Sequence, residues 1–266
     1  MLSGKFICAG YDYSTYTHHV PAPMFRKSFT VCDGDSAELT ITGLGFYEVF
    51  INGKKITKGI IAPYISNPDH FVYYDSYDLT PYIKSGKNTL GVILGNGMQN
   101  CPGGQIWDFD LADFRGAPRF AFAIEITDKN GNRTVLEADS DVKTHPSAIS
   151  FDDLRCGCFY DARKEIKGCF LPDFDDSEWQ SAVRAETPRG KRIMCTAEPI
   201  LPTGEPLKPI SITKCKKAEY RPRHDVVKEA AEVCSKETDG RLYDFGENTA
   251  GIETLRISGK RGHSRP

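Results

Sequence analysis

The feature that most constrains the fold is an asparagine–glycine pair, Asn52-Gly53, between two strand-forming stretches. Residues 46–51 (FYEVFI) are aromatic and β-branched, which favours a β-strand, and residues 54–56 (KKI) begin the return strand. An Asn-Gly pair fits a two-residue type I′ turn, because both central residues of that turn need a positive φ angle. The sequence therefore predicts a β-hairpin, which belongs in an antiparallel sheet.

The residues before this hairpin add a further strand and a bend. Leu39 and Ile41 alternate with threonines, which is the period of a half-buried strand. Gly43 and Gly45 then interrupt the pattern. Glycine inside a strand pattern indicates a bend or a close approach of two backbones, so we expect one of these between residues 43 and 46.

Similar short strands recur along the whole chain, separated by turn residues at intervals of about 8 to 12 residues. Strands are predicted at 24–31, 72–77, 88–94, 119–127, 133–138, 159–166, 210–215 and 241–245, and helical character at 224–235 alone. This pattern predicts an all-β protein. Its architecture is expected to be a jelly-roll (galactose-binding-like) β-sandwich followed by a partial second β domain.

Composition changes along the chain predict where the domains begin and end. Residues 1–22 are rich in Tyr, His and Pro and are expected to form an N-terminal arm, and residues 23–185 the jelly-roll domain. Five prolines fall between 186 and 209, which predicts an extended linker. Residues 210–266 form the partial second β domain.

Charge and cysteine content exclude several classes of protein. The formal net charge of the 266 residues is −2 with no long run of one sign, so a nucleic-acid partner is not expected. No apolar run approaches the roughly 18 residues of a membrane span. The N-terminus is too short and polar for a signal peptide, and nine scattered cysteines are not a disulfide framework. We therefore expect a cytoplasmic protein with reduced thiols.

No metal or cofactor is predicted from the cysteines. Cys156 and Cys158 are too closely spaced for the usual zinc pair, and Cys169 stands alone.

The long loop at 98–116 carries the residues best suited to chemistry. Asp108 and Asp110 lie beside Trp107. A sugar packs its CH-rich face on an aromatic ring while carboxylates accept its hydroxyl protons. Two carboxylates could also act as general acid and base in a glycosidase, or bind calcium, although no calcium-loop pattern is present. The alternative is a solvated acidic loop held by core aromatics.

Two asparagines complete the candidate sugar-binding site, Asn96 and Asn100, at the start of this loop. The segment Gly95-Asn96-Gly97 faintly resembles a phosphate-binding loop, but no Gly-Lys-Ser/Thr follows it. A turn that ends a strand is the simpler reading of that segment. From the residues alone we predict an all-β protein that binds carbohydrate, with no catalytic residue assigned.

An ordered set of motifs resembles the N-terminal region of bacterial α-L-rhamnosidases. They are APMFRKSF (22–29), TGLGFYEVFINGK (42–54), VYYDSYDLT (72–80), LGVILGNG (90–97), YDAR (160–163), FDDSEW (174–179), EPI (198–200) and LYDFGENTAG (242–251). Each motif is short, but the ordered set of motifs spans nearly the whole chain.

This resemblance implies a glycoside hydrolase whose catalytic (α/α) barrel lies beyond the C-terminus of this chain. It implies an inverting mechanism, in which one carboxylic acid protonates the leaving oxygen and a carboxylate activates water. The partners implied are rhamnose-containing glycosides and that barrel. The chain alone is then expected to be inactive. Two alternatives are a stand-alone binding module for L-rhamnose or related sugars, and a purely structural domain.

Overall fold

The structure is a computed structural model that describes residues 2–15, 18–101, 111–154, 157–215, 240–252 and 254. The chain divides into two compact units, Met1–Pro199 and Ile200–Pro266. The first unit is a sandwich of two β-sheets, and the second holds a two-stranded sheet. The predicted all-β sandwich is confirmed, and the second unit also contains β-structure.

The larger sheet of the first unit has seven strands. They are β1 (Phe6–Cys8), β3 (Ser36–Leu44), β6 (Phe71–Asp78), β8 (Arg119–Thr127), β9 (Arg133–Glu137), β14 (Val183–Ala185) and β15 (Lys191–Met194). Their order is β14-β1-β8-β3-β6-β15, and β9 also pairs with β8. All these pairs are antiparallel except β15 with β6, which is parallel.

The smaller sheet has six strands, all antiparallel. They are β2 (Pro23–Val31), β4 (Tyr47–Ile51), β5 (Lys54–Lys55), β7 (Gly86–Leu94), β10 (Lys143–Pro146) and β13 (Gln180–Ser181). Their order is β13-β10-β2-β7-β4-β5, so β7 is central, as its apolar sequence predicts.

Two further strand pairs stand apart from these sheets. In the first unit β11 (Ile149–Asp153) pairs with β12 (Gly157–Tyr160), and a 3-10 helix, Ala162–Lys164, follows. In the second unit β16 (Ser211–Cys215) pairs with β17 (Gly240–Asp244). The helix predicted at 224–235 lies outside the described residues.

The Asn52-Gly53 hairpin is confirmed, and its approach links the two sheets. Asn52 and Gly53 have φ angles of 52° and 81°, and Ile51 pairs with Lys54. The preceding strand β3 belongs to the larger sheet, whereas β4 belongs to the smaller one. The chain crosses at Gly45, where φ is 121° and a Cβ would lie 2.3 Å from the carbonyl oxygen of Gly95. Only glycine fits this crossing.

The core lies between the two sheets, where alternate residues of each strand point inward. Its fully buried side chains include Phe25, Leu39, Ile41, Leu90, Phe120 and Phe122. Side chains on the opposite face of β2 and β7, including Met24 and Ile93, pack against residues 166–179. That segment therefore covers the outer face of the smaller sheet.

The observed local structure differs from three of the sequence predictions. The strand predicted at 159–166 is wrong, because β12 ends at Tyr160 and the Asp161 carboxylate accepts the Arg163 N–H at 3.1 Å, which begins the 3-10 helix. Strand β1 lies within residues 1–22, and β15 lies within 186–209. The domain boundaries themselves stay predictions.

No helix in the described part of the chain is long and apolar enough to cross a membrane.

Candidate functional site

Three of the five residues predicted to bind sugar, Trp107, Asp108 and Asp110, lie outside the described residues. The possible calcium site rests on the same two aspartates. Among the residues that the structure does describe, no group of three or more His, Cys, Asp or Glu side chains could hold a metal ion.

The other two predicted residues, Asn96 and Asn100, lie together in a buried polar network. Both side chains are buried, and the Asn100 amide donates to Asn96 Oδ1 at 3.1 Å. Asn96 donates through its amide to the carbonyl and carboxylate oxygens of Asp152, at 2.9 and 3.1 Å. Arg115 donates to Asn100 Oδ1 at 3.0 Å and to the carbonyl oxygen of Ser14 at 2.7 Å. These amides therefore fix the turn after β7, and their role in sugar binding stays a prediction.

Asp152 is the electrostatic centre of this network. Burial raises the pKa of its carboxyl to about 6, the nearby Asp153 carboxyl adds to that rise, and the hydrogen bond from the Asn96 backbone N–H opposes it. That N–H donates to Asp152 Oδ2 at 2.7 Å. The carboxylate thus holds the backbone where the long loop begins.

A second buried cluster of titratable groups lies elsewhere in the sandwich. The Tyr47 hydroxyl donates to the Asp75 carboxylate and lies 3.1 Å from the Tyr77 hydroxyl. Burial raises the pKa of Asp75 and raises that of Tyr77 to about 12. Each of these groups has a partner within the chain, which favours a structural role.

An aromatic pocket borders the turn formed by residues 96–100, since Met98 and Gln99 line it. Its volume is about 290 Å³. Three separate segments line it: the end of β3 with its crossing toward β4 at 42–46, residues 63–73, which run from a loop into β6, and the two ends of the long loop. The long loop contributes Met98, Gln99 and Phe114, so the loop that the sequence marked as functional does border a pocket.

Four aromatic rings dominate the lining of the pocket. They belong to Phe46, Tyr64, Tyr73 and Phe114, and aliphatic atoms come from Leu44, Pro63, Ile65, Pro68, Val72 and Met98. The described residues that line the pocket include no Asp, Glu, Lys, Arg or His. Such a lining provides apolar contact and no general acid or base.

Five polar side chains of the described lining have hydrogen-bond partners within the chain. The pairs are Thr42 Oγ1 to the Tyr73 carbonyl, Gln99 Nε2 to the Phe114 carbonyl, Ser66 Oγ to the Phe71 carbonyl, the Asp69 N–H to Asn67 Oδ1, and the Tyr64 hydroxyl to the Glu198 carbonyl. These bonds hold the three segments in place. They also leave few side-chain groups to bind the hydroxyls of a ligand.

Sequence reasoning missed Phe46, Tyr64 and Tyr73 as lining residues, because the segments that carry them meet through the sheet crossing. The signal that could have found the pocket was Gly45, predicted to allow a close approach of two backbones. A Cβ at Gly45 would also lie 3.3 Å from Pro118 Cβ. The crossing therefore lies against both ends of the long loop.

The chain matches one family model over residues 33–203, that of the α-L-rhamnosidase N-terminal domain. Curated relatives include an α-L-rhamnosidase of Formosa agariphila, 31% identical over 86% of this chain and 22% of the relative. Another is the α-L-rhamnosidase of Alteromonas sp. (strain LOR), 28% identical over 85% of this chain and 22% of the relative. The chain thus spans about a fifth of the length of these relatives.

Solved structures share the fold. The α-L-rhamnosidase from Dictyoglumus thermophilum superposes with a TM-score of 0.70 and 34% identity, covering 79% of this chain and 24% of that chain. The native rhamnosidase from Aspergillus terreus gives a TM-score of 0.72 at 24% identity, covering 80% of this chain and 24% of that chain, which shows a common fold.

Proposed function

The chain belongs to the family of α-L-rhamnosidase N-terminal domains, and we therefore propose that it is the non-catalytic N-terminal part of an enzyme that removes terminal α-L-rhamnose from glycosides. The observation that carries this proposal is the match over residues 33–203, which takes in most of the sandwich. The relatives are about four and a half times as long as the matched part. In this proposal, the catalytic (α/α) barrel that the chain would accompany is assigned to that additional length.

The chemistry of an inverting glycosidase supports the non-catalytic part of this proposal. Inversion needs two carboxyl groups about 6.5–9.5 Å apart, facing each other across the sugar. The described lining of the aromatic pocket has no carboxyl group. The adjacent carboxylates Asp139 and Asp141 instead both accept from Lys27 Nζ, which is buried.

An activity assay tests the non-catalytic assignment. The 266-residue chain is incubated with p-nitrophenyl α-L-rhamnoside, and the expected result is no release of p-nitrophenol above the buffer rate. Turnover that scales with protein concentration would overturn the assignment.

A chimera tests the accessory role. The matching region of the Formosa agariphila relative is replaced by this chain, and a second version lacks the region altogether. We expect the chimera to hydrolyse the aryl rhamnoside and the deleted version to lose most activity. In the chimera, proton NMR of the first-formed rhamnose should show the β-anomer if the mechanism inverts. Equal activity with and without the region would contradict the accessory role.

A stand-alone carbohydrate-binding module remains a second candidate, because the sequence of the long loop places Trp107 beside Asp108 and Asp110, an aromatic ring with carboxylates. Titration of the chain with L-rhamnose, with and without calcium, separates a binding module from a purely structural domain. A Trp107→Ala variant should lose that binding if the long loop is the sugar site. Unchanged affinity would remove Trp107 from the site.

A further inference from the structure

The described lining of the aromatic pocket offers a sugar ring few polar groups that are not already engaged within the chain. A sugar presents hydroxyl groups around its edge, and each needs a donor or acceptor once it leaves water. Thr42, Ser66 and Gln99 each already donate to a backbone carbonyl at 2.6–2.7 Å. No charged side chain stands among the described lining residues to bind hydroxyls strongly.

The same pocket has the right chemistry for an aromatic ring. Phe46, Tyr64 and Tyr73 are each half-buried, and Phe114 is 42% exposed at the pocket. Ile65 beside them is 55% exposed. Aromatic rings attract one another in stacked or edge-to-face arrangements, beyond the effect of buried area. A flat ring placed here would cover apolar surface while Thr42, Tyr64, Ser66 and Gln99 keep their hydrogen bonds within the chain.

We propose that this pocket binds the aromatic aglycone of an aryl glycoside, so that this domain contacts the non-sugar part of the substrate. Binding of an aromatic ring rests on the pocket alone, whereas its identity as an aglycone rests on the proposed function. The volume of about 290 Å³ is at the lower end of small-molecule pockets and suits one ring system.

Ligand-observed NMR and calorimetry on the 266-residue chain test this proposal with three neutral probes. They are phenol, phenyl α-L-rhamnoside and methyl α-L-rhamnoside. Phenol and the phenyl glycoside should bind with saturable isotherms, and the methyl glycoside should show none over the same concentrations. Comparable binding of the two glycosides, or no binding of either aromatic probe, would overturn it.

A pair of matched variants locates the bound ring. Phe114→Ala removes a pocket ring that is 42% exposed, and Tyr160→Ala removes a ring that is 56% exposed on β12, away from the pocket. Phe114→Ala should weaken binding of phenyl α-L-rhamnoside about fivefold or more, the scale of one aromatic contact. Tyr160→Ala should leave the affinity within about twofold, a change too small for such a contact. An unchanged affinity in Phe114→Ala, with phenyl α-L-rhamnoside still bound, would overturn the assignment to this pocket.

The chimera assay and the binding experiments together distinguish an error in the proposed function from an error in the pocket proposal. An inactive chimera together with saturable phenol binding that Phe114→Ala weakens would support the aromatic pocket and contradict the rhamnosidase role. An active chimera, together with a chain that binds neither phenol nor the phenyl glycoside, would overturn the pocket and leave the rhamnosidase role standing.

Discussion

Two regions of the sandwich contain clustered aromatic side chains, yet they differ in what covers them. On the sealed face, defined here as Arg26, Gly91 and residues 166–179, the rings of Phe170 and Trp179 are 7% and 6% exposed. In the aromatic pocket, Phe114 is 42% exposed. The chain covers its own aromatic surface in the first region and leaves it accessible in the second.

The hydrogen bonds of the two regions explain this difference. Arg26 is 1% exposed and donates to Ser28, Asp176 and the carbonyl oxygens of residues 169, 171 and 172, which fixes residues 166–179 over β2 and β7. In the pocket the bonds join β3 to β6 and one end of the long loop to the other, around a space that they leave open. Uncovered apolar surface, and not an accumulation of polar residues, therefore marks the candidate site.

The largest effect is expected from Arg26→Met, which keeps the apolar stem but removes all five hydrogen bonds that the guanidinium donates. The free energy of unfolding should fall by about 3–5 kcal/mol, because the Asp176 carboxylate and three carbonyls lose their partner. Urea denaturation measures this loss.

An exposed arginine gives the control for that variant. Arg163 pairs with Asp161 at 2.8 Å on the surface, and Arg163→Met should leave the urea midpoint unchanged. If Arg26→Met shifted the midpoint no more than Arg163→Met does, the sealed face would not depend on the buried guanidinium.

A smaller loss is expected from Gly91→Ala, which tests how closely residues 166–179 pack on β7. A Cβ at residue 91 would lie 2.3 and 2.4 Å from two atoms of the Phe170 ring. The ring must move, and overpacking of this kind should cost about 2–3 kcal/mol. Gly131→Ala is an unsuitable control because its φ is 83°, whereas Gly10→Ala meets no atom within 4 Å. A loss no larger than that of Gly10→Ala would show that Phe170 is loosely packed.

The sequence predicted local features of this fold better than contacts between distant residues. Strand β8 was predicted at its observed bounds, 119–127, because residues 128–132 form a turn in which the Asp128 carboxylate accepts backbone N–H groups at 2.8 and 2.9 Å. The parallel pairing of Lys191 with Phe71 joins residues far apart along the chain, and no local pattern predicts it. The strand at 159–166 failed because a side-chain cap at Asp161 competes with extended backbone.

For the candidate site, burial and hydrogen bonding add what residue type does not show. Asn96 and Asn100 are predicted to contact a ligand because they are polar and border a loop; both amides are engaged within the chain, and their contact with a ligand stays a prediction. Arg26, whose five hydrogen bonds fix the sealed face, was indistinguishable in sequence from a surface cation. The pocket residues come from three segments, which the sheet crossing and the pairing of β3 with β6 bring together.

Asp152 provides a pH-dependent test of the turn that borders the pocket. Its folded pKa is about 6 against an ordinary value of 3.8, so between about pH 4 and 6 the folded state binds more protons than the unfolded state. Its contribution to the free energy of unfolding should therefore fall as the pH rises through this window, by about 1–2 kcal/mol.

Asp152→Asn isolates this contribution, because Asn cannot titrate and still offers Oδ1 to the Asn96 N–H. The difference between wild type and variant in urea-derived free energy should decrease from pH 4 to 6 and stay level above about pH 7. A difference that increased over that range would mean that the folded protein lowers the pKa of this carboxyl.

The smallest loss of stability is expected from a substitution in the pocket, Phe114→Ala. Phe170→Ala on the sealed face is the variant with which it is compared. Phe170 stacks on Phe50 with ring centroids 4.9 Å apart and is 7% exposed, so Phe170→Ala should cost about 3–5 kcal/mol. Phe114→Ala removes a ring that is 42% exposed, and it should cost less than about 1 kcal/mol. Thermal and urea unfolding of the two variants measure the contrast. Similar losses would mean that the Phe114 ring stabilises the fold as the sealed face does, and that its exposed surface is not reserved for a ligand.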